Sequence, residues 1–254
     1  MQQKEGRKMK NIMKLGFLGA ALFSLAACSG GNESGGSAGS SSAAESSSAT
    51  DTSNAQPSAA PKTELSDKFG KSLVVYFSQP ETDDPDNMST EEDNSAIVVD
   101  GEVLGNVQYV GMNIQENVGA DIFRIEPEEP YTTDHDELVD IASAEQEENA
   151  RPALAATVEN LDQYDTIFLG YPNWWGDMPM VLYTFLDEHD LSGKTIIPFN
   201  VHGGSGFSST ISTIADEEPD ATVVEDGYSV SRNNVEDSVT EVVDWLNNLP
   251  ATSN

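Results

Sequence analysis

The 254-residue chain has one cysteine, Cys28, and three histidines. A single cysteine excludes an intramolecular disulfide framework. No two histidines have the spacing of metal ligands, so we expect no metal site. Basic residues are also scarce, since 12 Lys and Arg stand against 44 Asp and Glu, a formal net charge of −32. A nucleic-acid partner is therefore not expected, because binding one requires neutralising its phosphates.

Long hydrophobic runs are absent as well. The longest apolar stretch, residues 15–27, follows five basic residues between positions 4 and 14. It is shorter than the roughly 20 apolar residues that a membrane-spanning helix needs. A basic segment, a short apolar segment and small residues are typical of an export signal, which we predict over residues 1–27.

The only cysteine stands at the end of this signal, in Leu25-Ala-Ala-Cys28. This stretch resembles the lipobox of bacterial lipoproteins. The resemblance implies cleavage before Cys28, lipidation of its sulfur, and an extracytoplasmic protein anchored to the bacterial cell membrane. An ordinary signal peptide that happens to contain a cysteine is the alternative.

Large apolar side chains are almost missing from the Ser-, Ala- and Gly-rich segment that follows. Such a segment cannot bury enough surface to offset its chain entropy. We therefore predict a disordered tether over residues 28–66 and one domain over residues 67–250. Without residues 1–27 the chain would keep seven basic and 43 acidic residues, a balance typical of a soluble exterior protein.

The remaining residues alternate between short apolar runs and helical patterns. Strands are predicted at residues 73–77, 121–126, 165–171, 194–200 and, as an edge strand, 228–230. Helices are predicted from residue 105, at residues 134–148, after Pro179, and at residues 207–215 and 235–249. This alternation predicts an α/β fold in three layers, with a central parallel sheet covered on both faces.

Three loops follow the carboxyl ends of the predicted strands, where ligands of such sheets bind. The first begins at Ser78 and includes an inserted loop and hairpin, residues 79–104, whose Asp100-Gly101 pair is a hairpin signal. The second is Pro-Asn-Trp-Trp-Gly-Asp-Met-Pro179, and the third begins at His202 with Gly-Gly-Ser-Gly-Phe207. Glycines and helix N-termini suit a phosphate, and aromatic rings suit a planar group.

Three stretches carry a family resemblance: Val-Val-Tyr-Phe-Ser78, Gly-Tyr-Pro-Asn-Trp-Trp-Gly-Asp-Met-Pro179 and Pro-Phe-Asn-Val-His-Gly-Gly-Ser-Gly-Phe207. With them, the chain from residue 73 to residue 249 resembles a flavodoxin-like FMN-binding domain. The resemblance implies FMN as cofactor, with its phosphate at the first loop and its ring between the second and third. The residues it implies for cofactor binding are Ser78, Thr82, Gly105, Asn106, Pro172, Asn173, Trp174, Trp175, Gly176, His202, Gly203, Gly204 and Phe207.

The first loop departs from the family pattern. Family members carry Gly-Asn-Thr soon after the first strand, whereas here Gly105-Asn106 comes after the insertion and Val107 replaces the Thr. Backbone N–H groups with Ser78, Thr82 or Asn106 would then hold the phosphate. The acidic residues of the loop would have to point away from it; these are Glu81, Asp83 and Asp84.

The aromatic and histidine side chains allow finer predictions. We interpret Trp174 and Trp175 as one ring that stacks on the flavin and one that supports it, in an order that the sequence does not decide. Trp245 is predicted to be a core residue, and His135 and His189 to face solvent. His202 is predicted to contact the flavin; it is also the single candidate for a catalytic residue.

Several functions agree with these features. A hydrolase is disfavoured because Ser205 lacks the Gly-x-Ser-x-Gly elbow. The favoured hypothesis is electron transfer by a membrane-tethered FMN protein, whose redox donor and acceptor the sequence does not identify. One alternative is an FMN-dependent NAD(P)H:quinone-type reductase. The other is a non-catalytic binding module that has lost FMN.

Overall fold

The structure is a computed structural model that describes residues 58–59 and 62–252. The predicted signal peptide, Cys28 and the tether up to residue 57 lie outside the described residues. Within the described part of the chain, no helix has the length and apolar character needed to cross a membrane.

A seven-stranded sheet forms the centre of the fold. Its strands are β1 (Ser58–Ala59), β2 (Ser72–Tyr76), β5 (Asp121–Arg124), β6 (Thr166–Pro172), β7 (Thr195–His202), β8 (Thr222–Val223) and β9 (Tyr228–Ser231). They lie in the order β1-β5-β2-β6-β7, with β8 and β9 both paired to β7. All pairs are parallel except β1 with β5. A separate hairpin pairs β3 (Ala96–Val99) with β4 (Glu102–Gly105).

Helices cover both faces of the sheet. They are α1 (Ser66–Phe69), α2 (Thr90–Ser95), α3 (Asn106–Val118), α4 (His135–Glu148), α5 (Met180–Glu188), α6 (Thr210–Glu217) and α7 (Val239–Asn248). All five residues of β2 are buried, and alternate ones face opposite sides. Leu73 and Val75 pack with α5, whereas Val74 and Tyr76 pack with α3 and α7. The predicted three-layer α/β fold is therefore confirmed.

The structure differs from the sequence prediction at several boundaries. Strand β1 lies wholly within residues 28–66, and helix α1 begins at the last of them. The predicted tether therefore extends too far at its carboxyl end. Helix α2 forms inside the predicted inserted loop, where Ser89 and Glu92 make a capping box that the prediction overlooked. Helices α6 and α7 begin three and four residues later than predicted, at Thr210 and Val239.

The strand order brings the three predicted loops together. Strands β5, β2, β6, β7 and then β8 or β9 follow the doubly wound order 2-1-3-4-5. The winding reverses beside β2, so the loops after β2 and β6 leave the sheet at this switch point. The loop after β7 leaves the same edge, next to them.

Candidate functional site

A cavity of about 240 Å³ lies at the carboxyl edge of the sheet, between the loops that follow β2, β6 and β7. Of the 13 residues predicted for cofactor binding, eight line it: Ser78, Asn106, Pro172, Asn173, Trp174, Trp175, His202 and Gly203. The other five lie outside its lining: Thr82, Gly105, Gly176, Gly204 and Phe207.

The first wall is formed by the end of β2 and the start of α3. Ser78 is buried, and its carbonyl oxygen accepts a hydrogen bond from Arg124 Nη2 at 3.0 Å. Gly105 lies against it so closely that a Cβ there would overlap Ser78 Oγ. Asn106 begins α3, and its Nδ2 donates to Asn94 O at 2.9 Å. The N–H groups of the first turn of α3 have no helical partners, and Asn106 and Val107 line the cavity.

The inserted loop contributes less to this wall than the sequence suggested. Thr82 Oγ1 accepts from the Asp84 N–H at 3.1 Å, which fixes a local turn away from the cavity. Of the three acidic residues of this loop, Glu81 lines the cavity, whereas Asp83 and Asp84 do not. Glu81 Oε2 lies 2.7 Å from His135 Nδ1 on α4, so the loop and this helix meet at the cavity edge.

Trp174 is a half-buried ring held by other aromatic rings. Its centroid lies 5.4 Å from that of Phe77 and 5.7 Å from that of Tyr131, in edge-to-face geometry. The pairs Phe77–Tyr131 and Trp174–Tyr131 close a three-ring cluster at the top of the sheet. Only part of this ring remains to form the cavity wall, so Trp174 has the contacts expected of the supporting ring.

Trp175 has the opposite environment, because its side chain is 62 % exposed. Its φ of 52° and the φ of 82° at Gly176 turn the chain as in a type I′ turn. Two backbone hydrogen bonds of 2.9 Å between Trp174 and Asp177 close this turn. The indole Nε1 donates to Val139 O on α4 at 3.4 Å. A positive φ is rare for a bulky residue, and residues held in such conformations cluster at functional sites.

The loops after β6 and β7 are joined by amide side chains. Asn173 Nδ2 donates to Gly206 O at 3.1 Å, and Asn200 Nδ2 donates to the same carbonyl oxygen at 2.8 Å. Asn173 Oδ1 accepts the Gly176 N–H at 3.1 Å. The turn that carries Trp175 is thus hydrogen-bonded to the loop that directly follows His202.

His202 is held as a neutral ring with a defined tautomer. Its Nδ1 accepts the Gly204 N–H at 2.8 Å, so the ring proton is on Nε2. Burial lowers the pKa of His202. With Nδ1 occupied and Nε2 protonated, the ring can donate one hydrogen bond into the cavity and has no free basic nitrogen for general-base catalysis.

Two predicted residues of the third loop have structural contacts instead. Phe207 packs against Tyr171, with ring centroids 6.4 Å apart, and covers Gly227, where a Cβ would lie 2.7 Å from the Phe207 ring. Gly204 has a φ of 133°, which glycine adopts without strain. Both residues shape the loop behind His202 and Gly203 but do not reach the cavity.

The prediction for His189 is wrong, and that for Trp245 needs refinement. His189 is buried, its Nε2 accepts the Val158 N–H at 3.0 Å, and its Nδ1 donates to Phe185 O at 2.8 Å. Trp245 is half-buried against the core beside Tyr228.

Several lining residues were missed by the sequence analysis. His135, Leu138, Val139 and Ala142 come from α4, which lies close to the cavity only after folding. Arg232 follows β9 directly, and its guanidinium packs over Gly203. The rule that residues after parallel strands gather at one edge would have found Arg232, because 228–230 was already predicted to be a strand.

Comparison with known proteins points to one family. The family model described as flavodoxin matches residues 97–249, more than half of the chain. No curated protein matches. A crystal structure of a flavoprotein candidate from Bacteroides eggerthii is 27% identical, with a TM-score of 0.50 over 68% of this chain and 97% of that one.

Two further crystal structures are similar. One, of a flavoprotein candidate from Bacteroides uniformis, is 26% identical, with a TM-score of 0.49 over 68% of this chain and 99% of that one. The other, of a flavoprotein in complex with FMN from Lactobacillus acidophilus, is 18% identical. Its TM-score is 0.48, and the match covers 66% of this chain and 97% of that one.

Proposed function

Because this chain belongs to the flavodoxin family, whose cofactor is FMN, we propose that it is a membrane-tethered flavoprotein that transfers electrons outside the cytoplasmic membrane. The family resemblance seen in the sequence is thereby confirmed, and FMN is the cofactor. Electron transfer, the extracytoplasmic location and the lipid anchor belong to the proposal. One observation carries it: a single cavity combines the first turn of α3, an exposed Trp175 and a hydrogen-bond donor on His202.

The residues at the α3 end of the cavity fit a phosphate. Asn106 and Val107 are the first two residues of a 13-residue helix, and both line the cavity. A helix N-terminus offers free N–H groups and a partial positive charge to an anion. Gly105 has no side chain, so the backbone at this end passes directly beside Ser78.

The residues at the other end fit a planar ring. Trp175 presents an exposed indole ring, and the hydrogen bond from its Nε1 to Val139 O orients the ring. His202 supplies one donor from Nε2, and Gly203 beside it keeps the backbone within reach. Together they would orient the ring and exclude water from one of its faces.

When bound, FMN supplies the one- and two-electron chemistry, and the protein supplies binding, orientation and electrostatics. The chain has 44 acidic and 12 basic residues. This negative charge would steer a basic electron donor or acceptor towards the domain. The expected partner is therefore a positively charged redox protein or small cationic carrier.

A titration of the full-length chain with FMN tests the cofactor-dependent part of the proposal. We expect flavin fluorescence to be quenched to a one-to-one end point and the protein to turn yellow. Protein that stays colourless after soaking in FMN would instead support the non-catalytic binding module.

Cell fractionation tests the location. The wild-type protein should sediment with membranes, and a Cys28→Ser variant should be released into the soluble extracytoplasmic fraction. Equal recovery of both proteins in the soluble fraction would favour the ordinary signal peptide.

One observation favours the reductase as a second candidate. Glu81 and His135 form a 2.7 Å pair at the cavity edge, beside the apolar side chains of Leu138 and Ala142. With NAD(P)H as the donor of a hydride equivalent, reduction of a quinone to a hydroquinone takes up one more proton. An acid and a base next to an apolar wall would suit that step. Oxidation of NAD(P)H by the FMN-loaded protein only when a quinone is present would support this candidate over the carrier.

A further inference from the structure

Positive charge is unevenly distributed in this acidic protein. Residues 62–252 contain seven Lys and Arg. Five of them have a carbonyl or carboxylate partner: Lys68, Lys71, Arg124, Arg151 and Lys194. Within this described part of the chain, Lys62 and Arg232 have none. Both residues are exposed, but only Arg232 lines the cavity.

Arg232 lies where two parts of the site meet. It follows β9 in a short 3₁₀ helix, Arg232–Asn234, that contacts α2. On one side its guanidinium packs over Gly203, where a Cβ would lie 3.4 Å from Arg232 Cζ. On the other side it shares a second cavity with Asn106, at the beginning of α3. The guanidinium is therefore within the same wall as the helix N-terminus proposed to face the phosphate.

The α3 end of the cavity offers few neutral side-chain donors to a phosphate dianion. One N–H of Asn106 Nδ2 donates to Asn94 O, and the Thr82 hydroxyl belongs to a turn outside the cavity. Val107 has no polar side chain, and Glu81 adds a carboxylate to the lining. A helix N-terminus contributes only about half a positive charge, so a guanidinium in the same wall would add to the attraction of a phosphate. Arg232 is the only Lys or Arg among the described residues of the lining.

We propose that Arg232 binds the FMN phosphate and that this contact makes the cavity select FMN over riboflavin, which has the same ring but no phosphate. The inference rests on the proposed function, because it assumes that the cavity holds FMN. A guanidinium presents two parallel N–H donors to two phosphate oxygens, a geometry that lysine does not reproduce. The competing possibility is that Arg232 contacts the ring edge beside Gly203, and it predicts a different outcome.

The test compares FMN with riboflavin on the full-length protein and three variants. Arg232→Gln removes the charge, and Arg232→Lys keeps it without the two-donor geometry. Arg151→Gln is the matched control, because it removes one charge that pairs with Asp187 outside the cavity. Dissociation constants come from quenching of flavin fluorescence, and the melting temperature of each variant without flavin reports folding.

We expect Arg232→Gln to weaken FMN binding about tenfold to a hundredfold, the range for losing charge-assisted hydrogen bonds, and to change riboflavin binding less than about twofold. Arg232→Lys should weaken FMN less and keep the preference for FMN. Arg151→Gln should leave the ratio of the two constants as in the wild type.

Four results would overturn the inference. Equal weakening of FMN and riboflavin in Arg232→Gln would assign the guanidinium to the ring, and unchanged affinities for both ligands would remove it from the site. If Arg232→Gln does not fold, the folded Arg232→Lys variant decides. An FMN preference of no more than about twofold in that variant would also contradict the inference, since the charge is retained. A wild-type protein that binds riboflavin and FMN equally refutes the inference alone, whereas one that binds neither refutes the proposed function.

Discussion

Two adjacent tryptophans show how backbone conformation assigns different tasks to identical side chains. Trp174 forms a backbone pair with Asp177 and places its ring beside Phe77 and Tyr131. Trp175 follows with a positive φ, which directs its ring out of the core and over the cavity. The sequence predicted one stacking and one supporting ring, and the environments favour Trp175 for stacking.

Substitution of the two rings should separate these tasks. Trp175→Ala should weaken FMN binding about tenfold to a hundredfold, the range measured when an aromatic ring that stacks on a base is removed. The melting temperature of this variant should stay nearly unchanged. Trp174→Ala should lower the free energy of unfolding by about 2 kcal/mol or more, because it opens the ring cluster.

Fluorescence titration and thermal unfolding of both variants make the comparison. The reverse result, with Trp174→Ala losing FMN and Trp175→Ala losing stability, would exchange the two assignments. A similar loss of FMN in both variants at unchanged stability would contradict the division into two roles.

His189 shows how a local sequence reading fails for a single residue. Its neighbours Glu188 and Asp190 suggested a solvated position. The ring instead stacks on Phe185, four residues earlier, with centroids 4.2 Å apart. Residues four apart share a helix face, so the buried Phe185 was a better guide than the charged neighbours. Burial accordingly lowers the pKa of His189 and keeps it neutral.

At the scale of elements, the insertion between β2 and α3 returns the chain to the place that it left. Helix α2 and the β3–β4 hairpin form outside the main sheet, and the hairpin ends at Gly105. Gly105 then contacts Ser78, so α3 begins next to the end of β2 despite the intervening residues. Loop length adds little to the entropic cost of closure once the ends are held by such contacts.

This junction makes a prediction about Gly105→Ala. The added methyl group would overlap Ser78 Oγ, so the start of α3 has to move. We expect FMN binding to weaken about tenfold, since displacement by a few tenths of an ångström already misplaces the N–H donors.

Gly101→Ala is the control, because Gly101 has a φ of 86° at the far end of the same hairpin and no atom lies within 4 Å of the place that a methyl group would take. That change should cost about 1 kcal/mol of stability and leave FMN binding unaltered. Equal FMN affinities of both variants and the wild type would show that the Ser78–Gly105 junction does not position the site.

At the scale of the whole molecule, the acidic excess affects stability. Glu218 lies near several other carboxylates, and burial followed by repulsion from Asp190, Glu217 and Asp187 raises its pKa to about 7. The folded protein thus holds this proton more tightly than the unfolded chain, whose glutamate titrates near 4.5. The stabilising contribution is complete below pH 4.5 and is lost as the pH rises to about 7.

Replacing Glu218 with Gln should therefore raise the melting temperature above pH 7 and have little effect near pH 4.5. The gain should be a few degrees at most, because the side chain remains partly in water. Glu129→Gln is the control, since it removes one charge from an exposed loop residue. Thermal unfolding from pH 4.5 to 8 measures the difference, and a pH-independent gain in Glu218→Gln would refute the raised pKa.

The sequence by itself determined much of this protein. Apolar runs such as Val74–Tyr76 with Pro- and Gly-rich loops specified the parallel sheet and its functional edge, because burial on both faces and loop geometry are local properties. The tertiary structure alone decided three outcomes. Trp175, not Trp174, is the exposed ring at the cavity, His189 is buried, and Arg232 lines a second cavity together with Asn106 at the start of α3. Those outcomes depend on contacts with residues distant in the chain, such as His189 with Val158, Arg232 with Gly203 and Trp175 with Val139.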